Sequence, residues 1–95
     1  MKIIWSPEAA DDLEQLFEYI HEDSPEYAVS VYQRMMTQIE NLIDQPHIGR
    51  PGRVAGTREL IVTGASYIIP YRIKDRRVEI IRIYHTARIW PDNFN

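Results

Sequence analysis

The sequence predicts an α+β fold in which a hairpin of two N-terminal helices covers one face of a small antiparallel sheet. A short apolar strand is expected at residues 2–5, two amphipathic segments with helical spacing fill residues 7–45, and alternating segments fill residues 58–85. The links between the alternating segments are too short for parallel crossovers. Ninety-five residues supply one modest core, so we expect residues 1–95 to form a single domain.

Two similar start signals define the helices. Ser6 is suited to cap the first helix and Pro7 to occupy its first turn, and Ser24 and Pro25 repeat this arrangement for the second. The second helical pattern ends near Pro46. Because very few residues separate the two helices, they are expected to form an antiparallel hairpin.

The second half of the chain changes to an alternating pattern. Residues 46–56 are rich in glycine and proline and are expected to form a loop without helix or strand. Strands are predicted at residues 58–63, 67–73 and 78–85, joined by tight turns into a meander. Pro70 lacks a backbone donor inside the second of these strands, which predicts a bulge or a locally unpaired edge.

The third of these strands carries apolar residues on both faces. Strict alternation places Val78, Ile80, Arg82 and Tyr84 on one face, and Glu79, Ile81, Ile83 and His85 on the other. Two helices cover only one face of a small sheet, so the opposite face needs another cover. That cover is either the C-terminal tail, with Ile89, Trp90 and Phe94, or a separate polypeptide, and we favour the separate polypeptide.

Composition excludes several classes of protein. The absence of cysteine rules out a disulfide scaffold, a cysteine-ligated zinc site and a cysteine nucleophile. No apolar run approaches the ~20 residues of a membrane span, and the N-terminal region is unlike a signal peptide. His21 and His47 have no further ligand at metal spacing, and no glycine-rich phosphate loop follows a strand. We therefore expect no metal and no cofactor, in a protein of the reducing cytosol.

The two halves of the chain carry opposite charge. Residues 1–48 contain two basic and ten acidic residues, whereas residues 49–95 contain nine basic and four acidic residues, within a total net charge of −3. Either the second half binds an anionic partner, or the two halves neutralise each other across the fold. Asp11 and Asp12, in the first helix, are expected to be solvated rather than to form a catalytic pair.

Cationic and titratable side chains gather near the end of the last strand. His85 could transfer a proton near neutral pH, and arginines such as Arg82 could stabilise a phosphorane-like transition state. Together they could cleave RNA by activating a ribose 2′-hydroxyl. The alternative, which we favour for His85, is a hydrogen-bonded structural histidine, with the arginines solvated or paired with helix carboxylates.

The order of these features resembles the RelE/ParE superfamily of bacterial toxins over roughly residues 2–91. The resemblance rests on five segments in sequence order, namely Ser6–Leu13, the Pro-x-x-Gly-Arg-Pro run of Pro46–Pro51, Gly52–Leu60, Tyr67–Ile73 and Val78–Arg88. It implies a helical hairpin on a small, twisted antiparallel sheet. It also implies the toxin of a type II toxin–antitoxin pair, carried on a plasmid or a chromosome and acting in the bacterial cytoplasm.

The same resemblance implies the partners. A cognate antitoxin would wrap the toxin with an extended C-terminal segment, cover its apolar surface, and provide its only link to DNA. RelE-like members resemble ribonucleases that cut messenger RNA in the ribosomal A site, and ParE-like members resemble inhibitors of DNA gyrase. The RelE pattern has an arginine at the start of the middle strand, where this chain has Ile68, and the ending His85–Arg88 is more similar to ParE.

We therefore favour a gyrase inhibitor, with a ribosome-dependent messenger RNA endoribonuclease as the alternative. The residues expected to bind gyrase are Arg50, Arg53, Arg72, Tyr84 and Trp90. The residues expected to cleave RNA, if the chain is a ribonuclease, are Arg58, Arg82, His85 and Arg88. A third possibility is a domain without toxicity, retained for autoregulation through its antitoxin.

Overall fold

A computed structural model describes residues 1–87 and 90–94. The N-terminal half contains strand β1 (Lys2–Trp5), helix α1 (Pro7–Asp23), helix α2 (Pro25–Glu40) and a 3-10 turn (Asn41–Ile43). The rest contains the strands β2 (Arg50–Pro51), β3 (Arg58–Ile61), β4 (Tyr67–Lys74), β5 (Arg77–Ile80) and β6 (Tyr84–His85). The predicted α+β fold, with a helical hairpin on a small sheet, is confirmed.

Serine residues cap the N-termini of both helices. The Ser6 hydroxyl accepts the Ala9 N–H at 3.0 Å and so caps α1. Ser24 ends α1 by donating its backbone N–H to the Ile20 carbonyl at 2.9 Å. The Ser24 hydroxyl also caps α2 by accepting the Tyr27 N–H at 3.2 Å. One residue therefore ends one helix and begins the next, which gives the tight hairpin that the sequence predicts.

The strands form a mixed sheet in the order β1-β5-β4-β3-β2, with β6 also pairing with β4. The predicted meander of β3, β4 and β5 is antiparallel. Strand β1 instead pairs parallel with β5, in the register Lys2 with Arg77. The helical hairpin makes this parallel pairing possible, because it lies between β1 and the meander and serves as a long connection.

The loop at residues 46–56 contains a strand that the sequence analysis excluded. Arg50 and Pro51 pair with Glu59 and Arg58, respectively, at the free edge of β3. Proline is tolerated at such an edge, where its missing N–H removes no bond between two strands. The expectation of a loop without strand is therefore wrong at these two residues.

A bulge lies at Pro70, as predicted, but the extra residue belongs to the neighbouring strand and not to the strand of Pro70 itself. Ile80 of β5 lies opposite Tyr71, whereas Tyr84 of β6 lies opposite Ile68. Three residues, 81–83, therefore face only two residues, 69 and 70, across this part of the sheet. A one-residue insertion of this kind is a β-bulge, and it divides the predicted third strand into β5 and β6.

The bulge reverses the side-chain alternation beyond Ile80. Ile83 joins Val78 and Ile80 in the core beneath the helices. Tyr84 instead packs against aromatic residues of the tail. The prediction of strict alternation is wrong here, because one extra residue moves every later side chain to the opposite face of the sheet.

The outer face of the sheet is covered by the chain itself. Ile68, Ile81 and Tyr84 are all buried. The ring of Tyr84 lies 4.9 Å from that of Trp90 and 6.4 Å from that of Phe94. The tail thus provides the cover for this central part of the face, and the expectation of a separate polypeptide is wrong there; Ile89 lies outside the described residues.

The phenol of Tyr71 holds the start of the loop against the sheet. It is fully buried, donates to the Pro46 carbonyl at 2.7 Å and accepts the Gly49 N–H at 2.9 Å. Burial raises the pKa of the Tyr71 phenol, which stays protonated.

Replacing Tyr71 with phenylalanine should lower the free energy of unfolding by about 1–3 kcal/mol, because two buried backbone groups lose their partner. Urea denaturation measures this change. Tyr19→Phe, at a side chain that is 74% exposed, is the matched control and should leave stability unchanged. Equal stability of the two variants would contradict the anchoring role of Tyr71.

Candidate functional site

A buried carboxylate organises two of the predicted target-binding arginines. The Glu59 side chain is only 1% exposed. Its Oε1 accepts hydrogen bonds from Arg50 Nε at 2.9 Å and Nη2 at 2.8 Å. Its Oε2 accepts from the Arg53 backbone N–H at 2.8 Å and from Arg53 Nε at 3.2 Å. Both oxygens of the carboxylate are therefore satisfied by charged or backbone donors.

These bonds decide the charge of Glu59. Burial raises the pKa of the Glu59 carboxyl, but the hydrogen bonds from Arg53 and Arg50 outweigh burial, and the pKa lies below its ordinary value. Glu59 is therefore ionised at neutral pH. The side chains of Arg50 and Arg53 remain 48% and 45% exposed, so each is fixed at its inner edge and open to a partner at its outer edge.

Three of the predicted target-binding residues meet on the outer face of the sheet. The guanidinium carbon of Arg53 lies 3.9 Å from the centroid of the Trp90 ring, a cation–π contact. Trp90 packs edge-on against Tyr84, with ring centroids 4.9 Å apart. Arg50 joins this group through Glu59. We call Arg50, Arg53, Tyr84 and Trp90 the arginine–aromatic cluster.

Arg72, the fifth of these residues, lies beside the cluster on the same face. Its Nε donates to Glu79 Oε1 on the neighbouring strand. With Tyr84 and Phe94 it lines a cavity of about 540 Å³ beneath the tail. Arg72 therefore lines the same cavity as Tyr84, but its ion-pair partner is Glu79 rather than Glu59.

The three described residues that were predicted for RNA cleavage, Arg58, Arg82 and His85, do not converge. Arg58 donates to the backbone carbonyls of His47 at 3.2 Å and Gly49 at 2.8 Å. Arg58 lies opposite Tyr71 and His85 opposite Tyr67, so about 13 Å of strand β4 separates the two positions.

His85 itself has structural contacts. The His85 side chain is exposed, its Nδ1 accepts the Ala87 N–H at 3.2 Å, and its ring stands edge-on to Tyr67. These contacts agree with the structural histidine that we favoured. Arg88, the fourth candidate, lies outside the described residues.

Arg82 is bound to a carboxylate that the sequence analysis misinterpreted. Asp12 accepts from Arg82 Nε at 2.8 Å and Nη2 at 3.0 Å, and also from the Ile83 N–H at 2.9 Å. The side-chain bond to Asp12 raises the pKa of Arg82. Asp12 is therefore not a solvated helix residue, because it ties helix α1 to the bulge that follows β5.

The chain is similar to known proteins over nearly its whole length. The family described as the ParE toxin of the type II toxin-antitoxin system, parDE, matches residues 3–90. The chain belongs to the ParE toxin family. Membership of a type II toxin–antitoxin family implies an antitoxin partner.

Relatives of this ParE chain match over nearly its whole length. It is 41% identical over 90 residues to Y4kP, a candidate toxin of Sinorhizobium fredii, covering 95% of this chain and 93% of the relative. It is 35% identical over 88 residues to toxin RelE2 of Caulobacter vibrioides, covering 93% and 98%. A solved structure of a chromosomal ParDE system from P. aeruginosa has a TM-score of 0.83 at 28% identity, covering 92% of this chain and 97% of that one.

Sequence reasoning missed two acids of this ParE chain that organise its arginines, Asp12 and Glu59. The signal for Glu59 was its position as a lone acid on a strand that follows an arginine-containing loop. Among residues 1–87 and 90–94 no group of three or more histidines and acids is placed to hold a metal ion. No helix in that same part of the chain is long and apolar enough to cross a membrane.

Proposed function

We propose that this ParE chain inhibits DNA gyrase in the bacterial cytoplasm and is neutralised by a cognate antitoxin. The choice of gyrase as the target rests on the contacts of two arginines. An RNA-cleaving toxin needs cations at the scissile phosphate, and in this chain these two candidate cations are bound to other groups. Arg58 is bound to two backbone carbonyls and Arg82 to a carboxylate, and neither is arranged around His85. The chain also belongs to the ParE family, and gyrase inhibition is consistent with that family.

The arginine–aromatic cluster, together with Arg72, is the surface that we assign to gyrase. Within it Arg50, Arg53 and Trp90 are open to a target, whereas Tyr84 is buried and supports Trp90 rather than contacting the target itself. Arginine and tryptophan are among the residues that most often dominate the energy of protein interfaces. Glu59 holds Arg50 and Arg53 in place before any target binds, so less side-chain entropy is lost on association. The exposed edges of both guanidinium groups then remain available for acidic or carbonyl acceptors on the target.

Purified protein should block supercoiling by gyrase and leave in vitro translation intact. Arg53→Lys keeps the charge but loses the planar stack on Trp90, so inhibition should weaken by about tenfold or more. Arg76→Lys, at an exposed position in the β4–β5 turn, is the matched control and should inhibit like the parent protein. The measurement is the concentration that halves supercoiling, with thermal melts to verify folding.

Two results would count against these assignments. Full inhibition by Arg53→Lys would reject the arginine–aromatic cluster as the gyrase-binding surface. Unimpaired supercoiling together with blocked translation would reject gyrase as the target and favour the ribosome.

A further inference from the structure

The helical hairpin carries an apolar groove that no other described part of the chain fills. Every residue that lines it belongs to α1 or α2, and its volume is about 560 Å³. The lining residues are Ala10, Leu13, Glu14, Phe17, Glu18, Val29 and Tyr32. We call this site the hairpin groove.

Apolar side chains remain open to solvent in the hairpin groove. Val29 and Tyr32 are 44% and 40% exposed. The Phe17 ring stands edge-on to Tyr32 with centroids 6.2 Å apart, so the aromatic part of the groove has a defined shape. Exposed apolar side chains that are gathered in a concave site and rimmed by charged residues are typical of binding grooves.

The charge around the groove restricts the occupant. Glu14 and Glu18 line it, and residues 7–40 as a whole contain nine acidic residues and one basic residue, Arg34. The ion pair with Arg82 neutralises only Asp12 among these acids. Such a surface repels the phosphates of nucleic acids and of anionic membranes, and it attracts lysine and arginine.

The geometry of the groove favours a helix as its occupant. From Ala10 to Glu18 the groove follows α1 for about 12 Å, which matches two to three turns of a bound helix. Helices α1 and α2 satisfy their backbone groups internally, so they offer no ladder of free donors and acceptors to an added strand. A third helix can instead pack its side-chain ridges into the groove between the two.

We infer that the hairpin groove binds a cationic amphipathic helix of a partner protein, with apolar residues at i, i+3 or i+4 and i+7 and with lysine or arginine beside them. The apolar stripe contacts Phe17, Val29 and Tyr32, and the basic residues pair with Glu14 and Glu18. The site lies on the opposite side of the sheet from the arginine–aromatic cluster. The inference is therefore independent of gyrase as the target.

Two synthetic peptides of about 18 residues test this inference, since that length forms a helix of several turns. Both carry leucine at the stated spacing, one with flanking lysines and the other with flanking glutamates. Titration calorimetry on the full chain should show the lysine peptide binding at least tenfold more tightly. Equal affinities, or no binding of either peptide, would overturn the inference.

Reversing the charge of two residues that line the hairpin groove tests whether the peptide binds there. Glu14→Lys/Glu18→Lys should reverse the preference, so that the glutamate peptide binds more tightly. Glu22→Lys/Glu26→Lys makes the same change in net charge at exposed positions outside the groove lining and should keep the original preference. If both double variants respond alike, binding follows net charge and the inference fails.

A supercoiling assay on the same variants separates this inference from the proposed function. Glu14→Lys/Glu18→Lys should inhibit gyrase like the parent protein while its peptide preference is reversed. Failure of peptide binding with retained gyrase inhibition would reject the hairpin groove alone. Retained peptide binding without gyrase inhibition by the parent protein would reject only the proposed target.

Discussion

Replacing both Arg50 and Arg53 with alanine is expected to lower the free energy of unfolding at pH 7 by about 3–5 kcal/mol, the usual cost of leaving a buried charge without its partners. The Glu59 carboxylate would keep only the Arg53-position backbone N–H as a donor. Urea denaturation measures the loss. Arg76→Ala/Arg77→Ala removes the same charge from exposed residues of the β4–β5 region and should cost far less.

This loss should depend on pH in a defined direction. In the parent protein the pKa of Glu59 is depressed, so the stability that Glu59 contributes is present above the unfolded-state pKa of about 4.3 and is lost as pH falls through the lower folded-state pKa. Without the arginine side chains, burial is opposed only by the backbone N–H of residue 53, so the pKa of Glu59 rises above its value in the parent protein. Its penalty then applies at neutral pH and disappears as the carboxyl is protonated.

The difference in stability between the parent protein and the double variant should therefore shrink on acidification. Adding Glu59→Gln to the double variant should recover part of the lost stability at pH 7, because an uncharged amide costs less to bury than an unpaired carboxylate. A difference that stays constant from pH 7 to about pH 4 would contradict the assignment of the loss to Glu59.

Replacing Asp12 with alanine is the second large effect that we expect, a loss of about 2–4 kcal/mol from three charge-assisted hydrogen bonds. The substitution leaves Arg82 and the Ile83 N–H without an acceptor at the bulge. Asp11→Ala removes the neighbouring, exposed carboxylate, whose bond is to Gln15, and should cost less than about 0.5 kcal/mol.

Denaturant midpoints of the two aspartate variants give the comparison directly. Their order is informative, because sequence reasoning treated Asp11 and Asp12 alike. If both variants unfold at the same denaturant concentration, the bond between α1 and the bulge contributes no stability.

Local signals made the helices and the bulge predictable. Ser6, Ser24 and the prolines that follow them act within one turn of helix, and Pro70 marks the bulge because it offers no backbone donor to the strand beside it. Asp12 was not predictable in this way, because its partner Arg82 lies 70 residues away and nothing near Asp12 in sequence distinguishes it from Asp11.

The candidate site shows the same division. Arg53, Tyr84 and Trp90 were singled out as members of one surface, and the structure brings them together. Their arrangement depends on the ion pair with Glu59 and on the path of the tail over the outer face. Both are tertiary contacts, and neither produces a periodic pattern in the sequence. The hairpin groove was not predicted for a related reason: helical spacing alone does not show which apolar residues of an amphipathic helix remain uncovered.

The parallel pairing of β1 with β5 has a consequence for the nascent chain. The Ser6 hydroxyl donates to the Ile81 carbonyl across 75 residues of sequence, and β1 has no strand to pair with until β5 has been synthesised. At a synthesis rate of about 5–20 residues per second, the first strand waits several seconds for its neighbour. The sheet therefore stays incomplete on any nascent chain that has not yet reached residue 80, and the edge of β1 remains unpaired until then.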